Sequence, residues 1–400
     1  MRLLVADAFP KKLLEAFPSF GVAVRFEPKL SADDLPNAIG DSQILIVRST
    51  KVTRAAIAAA KNLELVIRAG AGVDNIDVLA ASERGIYVAN CPGKNSVAVA
   101  ELTMALLLAI DRRVGDATND LKSGKWNKSE YGKADGIKGK TLGILGLGAI
   151  GKLVAARAQA FDMRVVAYNV PPLSEEEAES LGVEMVGSAI DLAKISDVVS
   201  VHVPQIADTK GLCNAAFFGA MRPGAIFLNT SRGGIHDEAA LLKAMREKGV
   251  RAGLDVFANE PAGGSAEFSP EIAKMPGFVG THHIGASTEQ AQHAIATECV
   301  RICREFAATG IAPNVVNIER HSPAKLQLVV RHYDKVGVLA NVLGIVKNHG
   351  ANVEEMTNTI FEGAKTAVAV LRLSDAPTEE LARDISALAD QVIQVDVKHT

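Results

Sequence analysis

Cysteine and tryptophan are scarce in this chain of 400 residues, which has four cysteines and one tryptophan. The cysteines, Cys91, Cys213, Cys299 and Cys303, show no C-x-x-C spacing. This argues against a zinc ribbon or a redox-active cysteine pair. Cys299 and Cys303 share a helix face, where a disulfide is geometrically poor. We therefore expect reduced thiols in a cytoplasmic protein, and no metal site.

Long apolar runs are also missing. The most apolar long stretch, residues 97–110, contains Glu101 and is shorter than the roughly 20 residues that a membrane-spanning helix needs. Asp7 and Pro10 interrupt the first apolar run, so the beginning of the chain lacks the core of a signal peptide. These absences predict a protein without a membrane segment.

No strong excess of charge of one sign is present. Lys and Arg number 43 and Asp and Glu 46, which leaves a formal net charge of −3. Nucleic acid and acidic membranes are therefore not expected partners. Hydrophobic residues make up 48% of the chain, which excludes disorder for most of it. The length predicts about two to four domains.

Short apolar runs alternate with helical stretches through most of the chain. The runs are rich in Val, Ile and Leu and are apolar on both faces, which is typical of parallel strands covered by helices. The candidate strands are residues 3–6, 44–47, 65–67, 87–89, 142–145, 165–168, 198–203, 225–229, 254–256 and 278–280. This rhythm predicts an α/β fold with doubly wound parallel sheets.

The pattern changes near residue 320. Residues 311–325 are rich in Pro and Asn and predict a linker. Residues 326–400 then read strand, helix, strand, strand, helix, strand. That βαββαβ order is typical of a ferredoxin-like domain.

The strongest single motif is Gly-Leu-Gly-Ala-Ile-Gly, which begins at Gly146 between a candidate strand and a candidate helix. Gly146 permits a tight turn, Gly148 lets a pyrophosphate approach the backbone, and Gly151 lets helix and strand pack closely. Ala149 and Ile150 open the helix, whose free N–H groups face the phosphates. The context predicts a dinucleotide site; a glycine-rich turn without a ligand is the structural alternative.

Asn169 follows the next candidate strand, where NAD sites usually carry Asp or Glu on the ribose hydroxyls. Asparagine can bond a hydroxyl, but it lacks the charge that repels a 2′-phosphate. Val170, Pro171 and Pro172 come next, so no adjacent cation attracts a 2′-phosphate either. We expect NAD as the cofactor, with NADP as the weaker alternative.

Four ionisable residues lie at or just after the ends of candidate strands. They are Arg232 in Asn-Thr-Ser-Arg-Gly-Gly, Asp255 after Gly-Leu, Glu260 in Asn-Glu-Pro, and His283 in His-His-Ile-Gly. Ligands of open α/β sheets bind beyond the carboxyl ends of the strands, so chemistry is expected here. Seen singly, the Arg and Glu would be surface ion pairs and Asp255 a helix cap.

Together these motifs resemble those of the D-2-hydroxyacid dehydrogenases, over residues 1–320. The similar features are the Arg-Gly-Gly turn, Asn-Glu-Pro, and the stretch His-Ile-Gly-Ala-Ser-Thr that begins at His283. The resemblance implies a discontinuous substrate-binding domain, residues 1–96 and 286–320, and an NAD-binding Rossmann domain, residues 97–285. The active site would lie between them and close to exclude water.

The resemblance also assigns roles. His283 would be the general base, since imidazole exchanges protons near neutral pH, and Glu260 would hold its tautomer. Arg232 would bind the substrate carboxylate and hydroxyl oxygen. Asp255 would hold the nicotinamide carboxamide. His282, which stands where relatives usually carry Pro, is a rival base, but the register of Ile-Gly-Ala-Ser-Thr selects His283.

The remaining cofactor contacts are expected after two further strands. They are His202, Val203, Pro204 and Thr230. The substrate carboxylate would take backbone N–H groups from a loop of small residues, where backbone can approach a ligand closely. The matching residues are Ala71, Gly72 and Val73.

Arg48 and Arg68 lie at strand ends and could converge on a phosphate, for which arginine is well suited; simple surface charge is the alternative. Asn95 resembles the family's Asn-Ser turn near the substrate, where Ser96 could equally be a helix N-cap.

The resemblance implies NAD-dependent oxidation of 3-phospho-D-glycerate to 3-phosphohydroxypyruvate, the first step of serine biosynthesis. The alternatives are a glyoxylate or hydroxypyruvate reductase and a dinucleotide-sensing regulatory scaffold.

Residues 326–400 resemble an ACT regulatory domain, in which L-serine is a possible effector. The matching contacts are His332, Asp334 and Asn352. Asp334 stands where the serine-binding form has Asn, and the alternative is a dimerisation module with no ligand. The resemblance places the segment of Trp126 at a subunit interface, with core packing as the alternative, and implies a homodimer or homotetramer.

Overall fold

The computed structural model describes residues 1–261, 265–319, 322–374 and 378–399. Two compact units divide the chain, Met1–Asn317 and Ile318–Thr400. The first holds two parallel sheets and the second a separate antiparallel sheet. The predicted α/β class, with two Rossmann-like sheets and a smaller third sheet, is therefore confirmed. The expected domain limits at residues 320 and 400 lie outside the described residues.

The first parallel sheet has five strands. They are β1 (Arg2–Val5), β2 (Ala23–Phe26), β3 (Ile44–Val47), β4 (Leu65–Arg68) and β5 (Tyr87–Ala89). The accompanying helices are α1 (Lys11–Leu14), α2 (Leu35–Ala38), α3 (Arg54–Ala59) and α4 (Val78–Ser82). The strand order is β2-β1-β3-β4-β5, so the chain reverses direction across the sheet between β1 and β3.

The second parallel sheet has seven strands. They are β6 (Thr141–Leu145), β7 (Arg164–Tyr168), β8 (Glu184–Met185), β9 (Val198–Val201), β10 (Ile226–Asn229), β11 (Arg251–Leu254) and β12 (Phe278–Gly280). The remaining helices of the first unit are α5 (Ser96–Arg112), α6 (Val114–Lys122), α7 (Lys128–Tyr131), α8 (Ala149–Ala160), α9 (Glu175–Ser180), α10 (Ala189–Ile195), α11 (Ala215–Ala220), α12 (Glu238–Lys248) and α13 (Glu289–Thr309). The order β12-β11-β10-β9-β6-β7-β8 puts the switch point between β6 and β9.

The strand expected at residues 254–256 is wrong, because β11 is Arg251–Leu254 and so begins three positions earlier and ends two positions earlier. Its Gly253 has low strand propensity, but a Cβ there would lie 2.6 Å from Leu228 and 2.9 Å from Ile110 of α5. Close packing of α5 on the sheet therefore selects glycine inside a strand. Sequence reasoning also missed β2, a half-exposed edge strand, and the two-residue β8.

The second unit contains four antiparallel strands. They are β13 (Leu326–Tyr333), β14 (Val353–Ile360), β15 (Thr366–Leu373) and β16 (Val392–His399), with helices α14 (Val338–Asn348) and α15 (Thr378–Ser386). The order β14-β15-β13-β16 is that of a ferredoxin-like sheet, as predicted. Its core lies between this sheet and the helices.

Side-chain caps set where several helices begin. Asp77, Asp237 and Thr288 each accept a backbone N–H from the first turn of the helix that follows. Helix α8 differs, because its N-cap is Gly148, which has no side chain to accept these groups. Its first-turn N–H groups are therefore left for another partner.

Helix α13 packs against the five-stranded sheet, although it follows the seven-stranded sheet in the chain. Cys299, Cys303 and Phe306 belong to the same buried cluster as residues of β1, β3 and β4. The predicted division into a discontinuous substrate-binding domain and an NAD-binding domain stays a prediction. All four cysteines are buried without a disulfide. Of the helices in the described ranges, none is long and apolar enough to cross a membrane.

Glu298, a buried carboxylate on α13, joins three segments of the first unit. It accepts hydrogen bonds from Arg301 at 2.6 Å and from Asn314 Nδ2 at 2.8 Å, and its other oxygen lies 3.3 Å from Lys94 Nζ. The hydrogen bond from Arg301, followed by the contacts with Asn314 and Lys94, outweighs burial and lowers the pKa of Glu298 to about 2. The carboxylate is therefore ionised in the folded protein at neutral pH.

The substitution E298Q should destabilise the fold by about 1–2 kcal/mol at pH 7, because it removes the charge from a buried network. The carboxyl pKa is lowered on folding, so this contribution is complete above the ordinary value of 4.5 and is lost as pH falls towards 2. Urea unfolding at pH 7 and pH 3.5 would measure the two differences. We expect a smaller difference at pH 3.5.

The matched control is E305Q, since Glu305 contacts the same arginine at 2.6 Å but is 47% exposed. An exposed pair is expected to contribute less than about 0.5 kcal/mol. Equal destabilisation by both substitutions would contradict the importance of burial at Glu298.

Candidate active site

The glycine-rich loop joins β6 to α8 at the switch point of the seven-stranded sheet. Gly146 has φ +95°, a conformation that residues with a Cβ rarely adopt. A Cβ at Gly151 would lie 2.1 Å from the carbonyl oxygen of Gly146, so the helix can approach the turn only with glycine there. Space above Gly148 is open, and the neighbouring Ala149 is exposed. These residues fit a dinucleotide pyrophosphate at the helix N-terminus.

Asn169 follows β7 and contacts the glycine-rich loop directly. Its Oδ1 accepts the N–H of Leu147 at 2.8 Å, and its Nδ2 donates to the carbonyl oxygen of Pro171 at 2.7 Å. The amide therefore shapes the loop while one lone pair on Oδ1 remains for a ribose hydroxyl. The preference for NAD over NADP at this residue stays a prediction.

The other expected cofactor residues follow β9 and β10. The imidazole of His202 is buried, which lowers its pKa to about 3, so the ring is neutral and shares a 2.8 Å hydrogen bond with Ser200. Thr103 donates to the carbonyl oxygen of Val99, so Thr230 must donate in its 2.9 Å contact with Thr103. The Thr230 hydroxyl thereby keeps an acceptor lone pair.

Val203 and Pro204 continue from His202 along the carboxyl edge of the sheet. The carbonyl oxygen of Val203 accepts the hydroxyl of Ser231 at 2.5 Å, and its N–H group would be 2.9 Å from a Cβ at Gly146. The segment after β9 therefore packs directly against the glycine-rich turn. Val203 thus lies beside the glycine-rich loop, and the cofactor contacts expected of Val203 and Pro204 stay a prediction.

Asp255 follows β11, and its carboxylate is buried among donors of the loop that carries His283. It accepts hydrogen bonds from Thr281 Oγ1 at 2.6 Å and from the N–H groups of Ile284 and Gly285, both at 2.8 Å. The carbonyl oxygen of Asp255 also accepts the N–H of His283 at 2.8 Å. In this structure Asp255 organises the loop; its expected contact with nicotinamide stays a prediction.

His283 and Glu260 form a hydrogen-bonded pair beside this loop. His283 Nδ1 lies 2.7 Å from Glu260 Oε2, while Glu260 Oε1 accepts the N–H of Phe257 at 2.9 Å. The backbone of His283 is left-handed, with φ +53°, an uncommon conformation for a residue with a side chain. The other ring nitrogen, Nε2, is thereby available on a half-exposed side chain.

The pKa of Glu260 is lowered overall. Burial raises it, but the hydrogen bonds from His283 and Phe257 and the positive charge of Arg232 outweigh that effect. The carboxylate is therefore ionised at neutral and alkaline pH, where it can stabilise an imidazolium on His283.

The turn that carries Arg232 is held by a fully buried amide, Asn229, at the end of β10. Asn229 Nδ2 donates to the carbonyl oxygen of Arg232 at 2.9 Å, and its Oδ1 accepts the N–H of Ser231 at 2.9 Å. A Cβ at Gly233 would lie 2.1 Å from the backbone of Phe257. The arginine turn and the segment that holds Glu260 are thus packed against each other.

The loop after β4 faces the arginine turn. The Arg68 guanidinium packs over Gly70, where Nη1 would lie 1.6 Å from a Cβ. Arg232 Nη2 similarly lies 2.0 Å from where Gly72 would carry a Cβ. Ala71 is held by its carbonyl oxygen, which accepts from Asn90 Nδ2 at 2.6 Å. Gly72 therefore lies beside Arg232, and the expected backbone contacts of Ala71, Gly72 and Val73 with a carboxylate stay a prediction.

Arg48 follows β3 and reaches the loop after β12. Its Nη2 donates to Ser287 Oγ at 3.3 Å. Its backbone N–H and that of Thr50 donate to Asp7 Oδ2 at 2.7 and 3.0 Å, so Asp7 shapes the turn. Asn95 is the N-cap of α5 and makes no side-chain cap, whereas Ser96 is the first residue of the helix and not the cap.

Three guanidinium groups act on one another in this region. Burial lowers the pKa of Arg68, and the positive charges of Arg232 and Arg48 lower it further. Asp74 opposes this with its negative charge, and its Oδ2 accepts from Arg232 Nε at 3.0 Å. Arg68 Nε is buried and makes no hydrogen bond within the described residues. The cluster therefore holds an excess of positive charge suited to an anion.

Sequence reasoning missed three residues that organise this site, Asp7, Asp74 and Asn229. Asp7 and Asn229 are polar residues at the ends of strands, the same signal that identified Arg232 and Asp255. Asp74 lies in the small-residue loop after β4, where it received no role. A search for every polar residue after each strand would have found the first two.

The three expected effector residues lie in the second unit but in different environments. His332 is buried, with Nδ1 2.8 Å from the carbonyl oxygen of Tyr333 and Nε2 3.1 Å from Asn358 Oδ1. Asp334 and Asn352 are exposed. Asn352 lines a surface depression of about 490 Å³ with residues of α14. The effector role of all three stays a prediction.

The first unit combines two chemical functions at one sheet edge. The loop after β6 fits a dinucleotide, while the segments after β10, β11 and β12 carry an arginine, a carboxylate and a histidine. Removal of a hydride from an alcohol carbon requires a base for the hydroxyl proton, and His283 supported by Glu260 is suited to that task. Fold and site together define a nicotinamide-dependent dehydrogenase.

Comparison with known proteins identifies the family within that class. Residues 104–285 match the model of the D-isomer specific 2-hydroxyacid dehydrogenase NAD binding domain. A D-3-phosphoglycerate dehydrogenase of Methanocaldococcus jannaschii is 38% identical over 89% of this chain and 67% of its own length. A hydroxypyruvate reductase of Thermotoga maritima is 44% identical over 68% of this chain and 87% of its own.

A solved D-lactate dehydrogenase of Aquifex aeolicus, in complex with NAD and lactic acid, has a TM-score of 0.67 and 26% identity, covering 80% of this chain and all of that one. The chain belongs to the D-isomer specific 2-hydroxyacid dehydrogenases, and its cofactor is NAD. It spans between 59% and 71% of the length of the curated D-3-phosphoglycerate dehydrogenases that it matches.

The substitution E260Q should lower kcat/KM about 10- to 100-fold, because Gln preserves the size of the side chain but not the charge that stabilises an imidazolium. Since the pKa of Glu260 is lowered, the loss should be equal at pH 7 and pH 9. Steady-state rates of NADH formation at both pH values measure this.

The matched control is E267Q, which changes an exposed carboxylate of the same segment. We expect this variant to keep the wild-type rate and E260Q to keep wild-type affinity for NADH. An E260Q enzyme with an unchanged kcat/KM would exclude the assigned role.

Proposed function

We propose that this protein oxidises 3-phospho-D-glycerate to 3-phosphohydroxypyruvate with NAD, the first step of serine biosynthesis. The observation that carries the proposal is the cluster of Arg48, Arg68 and Arg232 beside the His283–Glu260 pair. The substrate has a carboxylate next to the reacting carbon and a phosphate at the other end. A phosphate carries about −1.5 to −2 charges at neutral pH, which an excess of guanidinium groups suits.

The residues divide the work as follows. Arg232 and the backbone of Ala71, Gly72 and Val73 hold the carboxylate, while Arg48 and Arg68 hold the phosphate. His283 Nε2 takes the hydroxyl proton at carbon 2, and Glu260 stabilises the imidazolium through Nδ1. Bound NAD supplies the acceptor for the hydride that leaves the same carbon.

The similarity to named D-3-phosphoglycerate dehydrogenases, over most of this chain, supports the phosphorylated substrate. The higher identity of the Thermotoga maritima hydroxypyruvate reductase over a shorter stretch favours a second candidate, reduction of hydroxypyruvate or glyoxylate. Both use the same base, carboxylate site and cofactor. They differ in the phosphate, and so in the need for Arg68.

The substitution R68A should lower kcat/KM for D-3-phosphoglycerate about 10- to 100-fold, as expected for a lost charged hydrogen bond. Activity with unphosphorylated D-glycerate should change less than about threefold, because that substrate has no group for Arg68 to bind. NADH formation at 340 nm and alkaline pH measures both rates, since oxidation releases a proton.

The control variants are R25A, which removes an exposed arginine from β2, and H283A, which should abolish both reactions. A wild-type enzyme that reduces hydroxypyruvate or glyoxylate but ignores D-3-phosphoglycerate would establish the second candidate. Equal losses with both substrates in R68A would remove Arg68 from the phosphate site.

We also propose that residues 326–400 form a regulatory module that binds L-serine through Asp334 and Asn352. Their exposure, and the depression that Asn352 lines, support this. His332 is left out of this proposal, because it is buried and both of its ring nitrogens already have partners within the protein. A carboxylate at Asp334 can bind the amino group of an amino acid.

Calorimetry should show saturable heat with L-serine and none with D-serine, and D334A should remove the heat without altering uninhibited turnover. No heat, together with an unchanged rate in L-serine, would establish a module without this effector.

We propose a homodimer or homotetramer in the cytoplasm. Trp126 is 81% exposed, and Leu121 on α6 is 58% exposed, so this segment offers apolar surface to a second copy. The four reduced thiols support the cytoplasmic location.

A further inference from the structure

Asp74 forms an ion pair with Arg232 that joins the carboxyl ends of the two parallel sheets. Asp74 lies in the loop after β4, and Arg232 lies in the turn after β10, 158 residues away. Asp74 Oδ2 accepts the hydrogen bond of Arg232 Nε at 3.0 Å. Nothing in the motif analysis gives Asp74 a role, yet it contacts the arginine that would bind the substrate.

The contacts of Arg232 leave one edge of its guanidinium group available. Nε donates to Asp74, and Nη1 donates to the carbonyl oxygen of Ser231 at 2.8 Å. A guanidinium has five N–H donors, so three remain, all on the two terminal nitrogens. Binding a carboxylate at two points needs two of them. The Asp74 contact thus uses Nε and leaves donors on both terminal nitrogens, Nη1 and Nη2, for a carboxylate.

The backbone of Gly72 also restricts the position of the Arg232 guanidinium group. Arg232 Nη2 lies where a Cβ of Gly72 would be, at 2.0 Å, and Asp74 Oδ2 would be 2.9 Å from the same Cβ. The arginine therefore packs closely against backbone that is expected to bind the same carboxylate. Rotation away from this surface would break the contact with Asp74.

The charge of Asp74 acts within the arginine cluster. Arg48, Arg68 and Arg232 repel one another, and Asp74 opposes that repulsion at Arg68 as well as contacting Arg232. Without the charge of Asp74, repulsion from Arg48 and Arg68 would favour a position of Arg232 farther from both. An attraction at Nε holds it in the cluster before the anionic substrate arrives.

The Asp74 side chain is 60% exposed and that of Arg232 is 31% exposed. Exposed ion pairs contribute little to the stability of a fold. We therefore attribute to this pair the orientation of the Arg232 guanidinium group rather than the stabilisation of the fold. An alignment role predicts a loss of activity without a loss of folding.

We propose that Asp74 is a positioning residue for Arg232: it orients the guanidinium so that the terminal nitrogens face the carboxylate of a 2-hydroxy acid. This rests on the proposed role of Arg232. Because the two partners come from different sheets, the pair also sets the separation at which the carboxylate site is complete.

The test is a double-mutant cycle with D74A, R232K and D74A/R232K. Lysine keeps the charge and its ammonium can still reach Asp74, but it has no planar guanidinium group for Asp74 to orient. D74A should lower kcat/KM about 10- to 100-fold, as a misplacement near 1 Å does. In the R232K background D74A should add less than threefold. D74N keeps an acceptor but not the charge, so it should recover part of the rate that D74A loses.

The control is D41A, which removes an exposed ion pair with Arg2 in the same unit. It should keep wild-type activity, and every variant should keep the wild-type melting temperature and affinity for NADH. Equal losses from D74A in both backgrounds, or D74A with wild-type kcat/KM, would overturn the proposal.

Calorimetry of D-3-phosphoglycerate with the NADH-loaded enzyme separates this proposal from the proposed function. Weaker binding in D74A and R232K, without a further loss in the double variant, supports the positioning role even if the enzyme does not turn this substrate over. In that case only the proposed function fails. No binding of either D-3-phosphoglycerate or D-glycerate to the wild-type enzyme would overturn both.

Discussion

Parallel strand pairing is the constraint on which the site depends. Each parallel strand must be followed by a crossover that returns the chain to the opposite edge, so all carboxyl ends of one sheet meet at one edge. In the seven-stranded sheet this brings together the segments after β6, β9, β10, β11 and β12. The same rule in the five-stranded sheet presents the loops after β1, β3 and β4. The residues of the site are distant in sequence because each crossover contributes only one or two of them.

Polar side chains at the strand ends then give these loops their shapes. Asp255 and Asp7 each accept several hydrogen bonds from the loop that follows a neighbouring strand, and Asn229 donates to and accepts from the turn that follows its own strand. Placing a polar group in the interior is unfavourable unless its hydrogen bonds are made, so these partners fix the loops firmly. The left-handed backbone of His283 persists because hydrogen bonds to Asp255 hold His283 itself, Thr281 before it and Ile284 after it.

Positive charge is concentrated where the two sheets meet. Repulsion among Arg48, Arg68 and Arg232 opposes folding locally, and the hydrogen bonds of Arg48 with Ser287 and of Arg232 with Asp74 offset part of it. Such an arrangement favours the binding of anions, since a bound anion offsets the remaining repulsion among the three arginines. Substrate binding and the approach of the two sheets are therefore favoured by the same electrostatic term.

The sequence by itself determined the α/β class, the glycine-rich loop and the βαββαβ order of the second unit, because strand length, glycine spacing and apolar periodicity are properties of local backbone. The resemblance of its motifs to those of a known family also indicated that Glu260 pairs with His283, although the sequence contains no information on the distance between them. Only the tertiary structure decided that β11 includes Gly253, which α5 covers, and that His332 is buried. Only it placed Asp74 against Arg232. A contact between side chains 158 residues apart depends on how two sheets pack, and no local pattern encodes that separation.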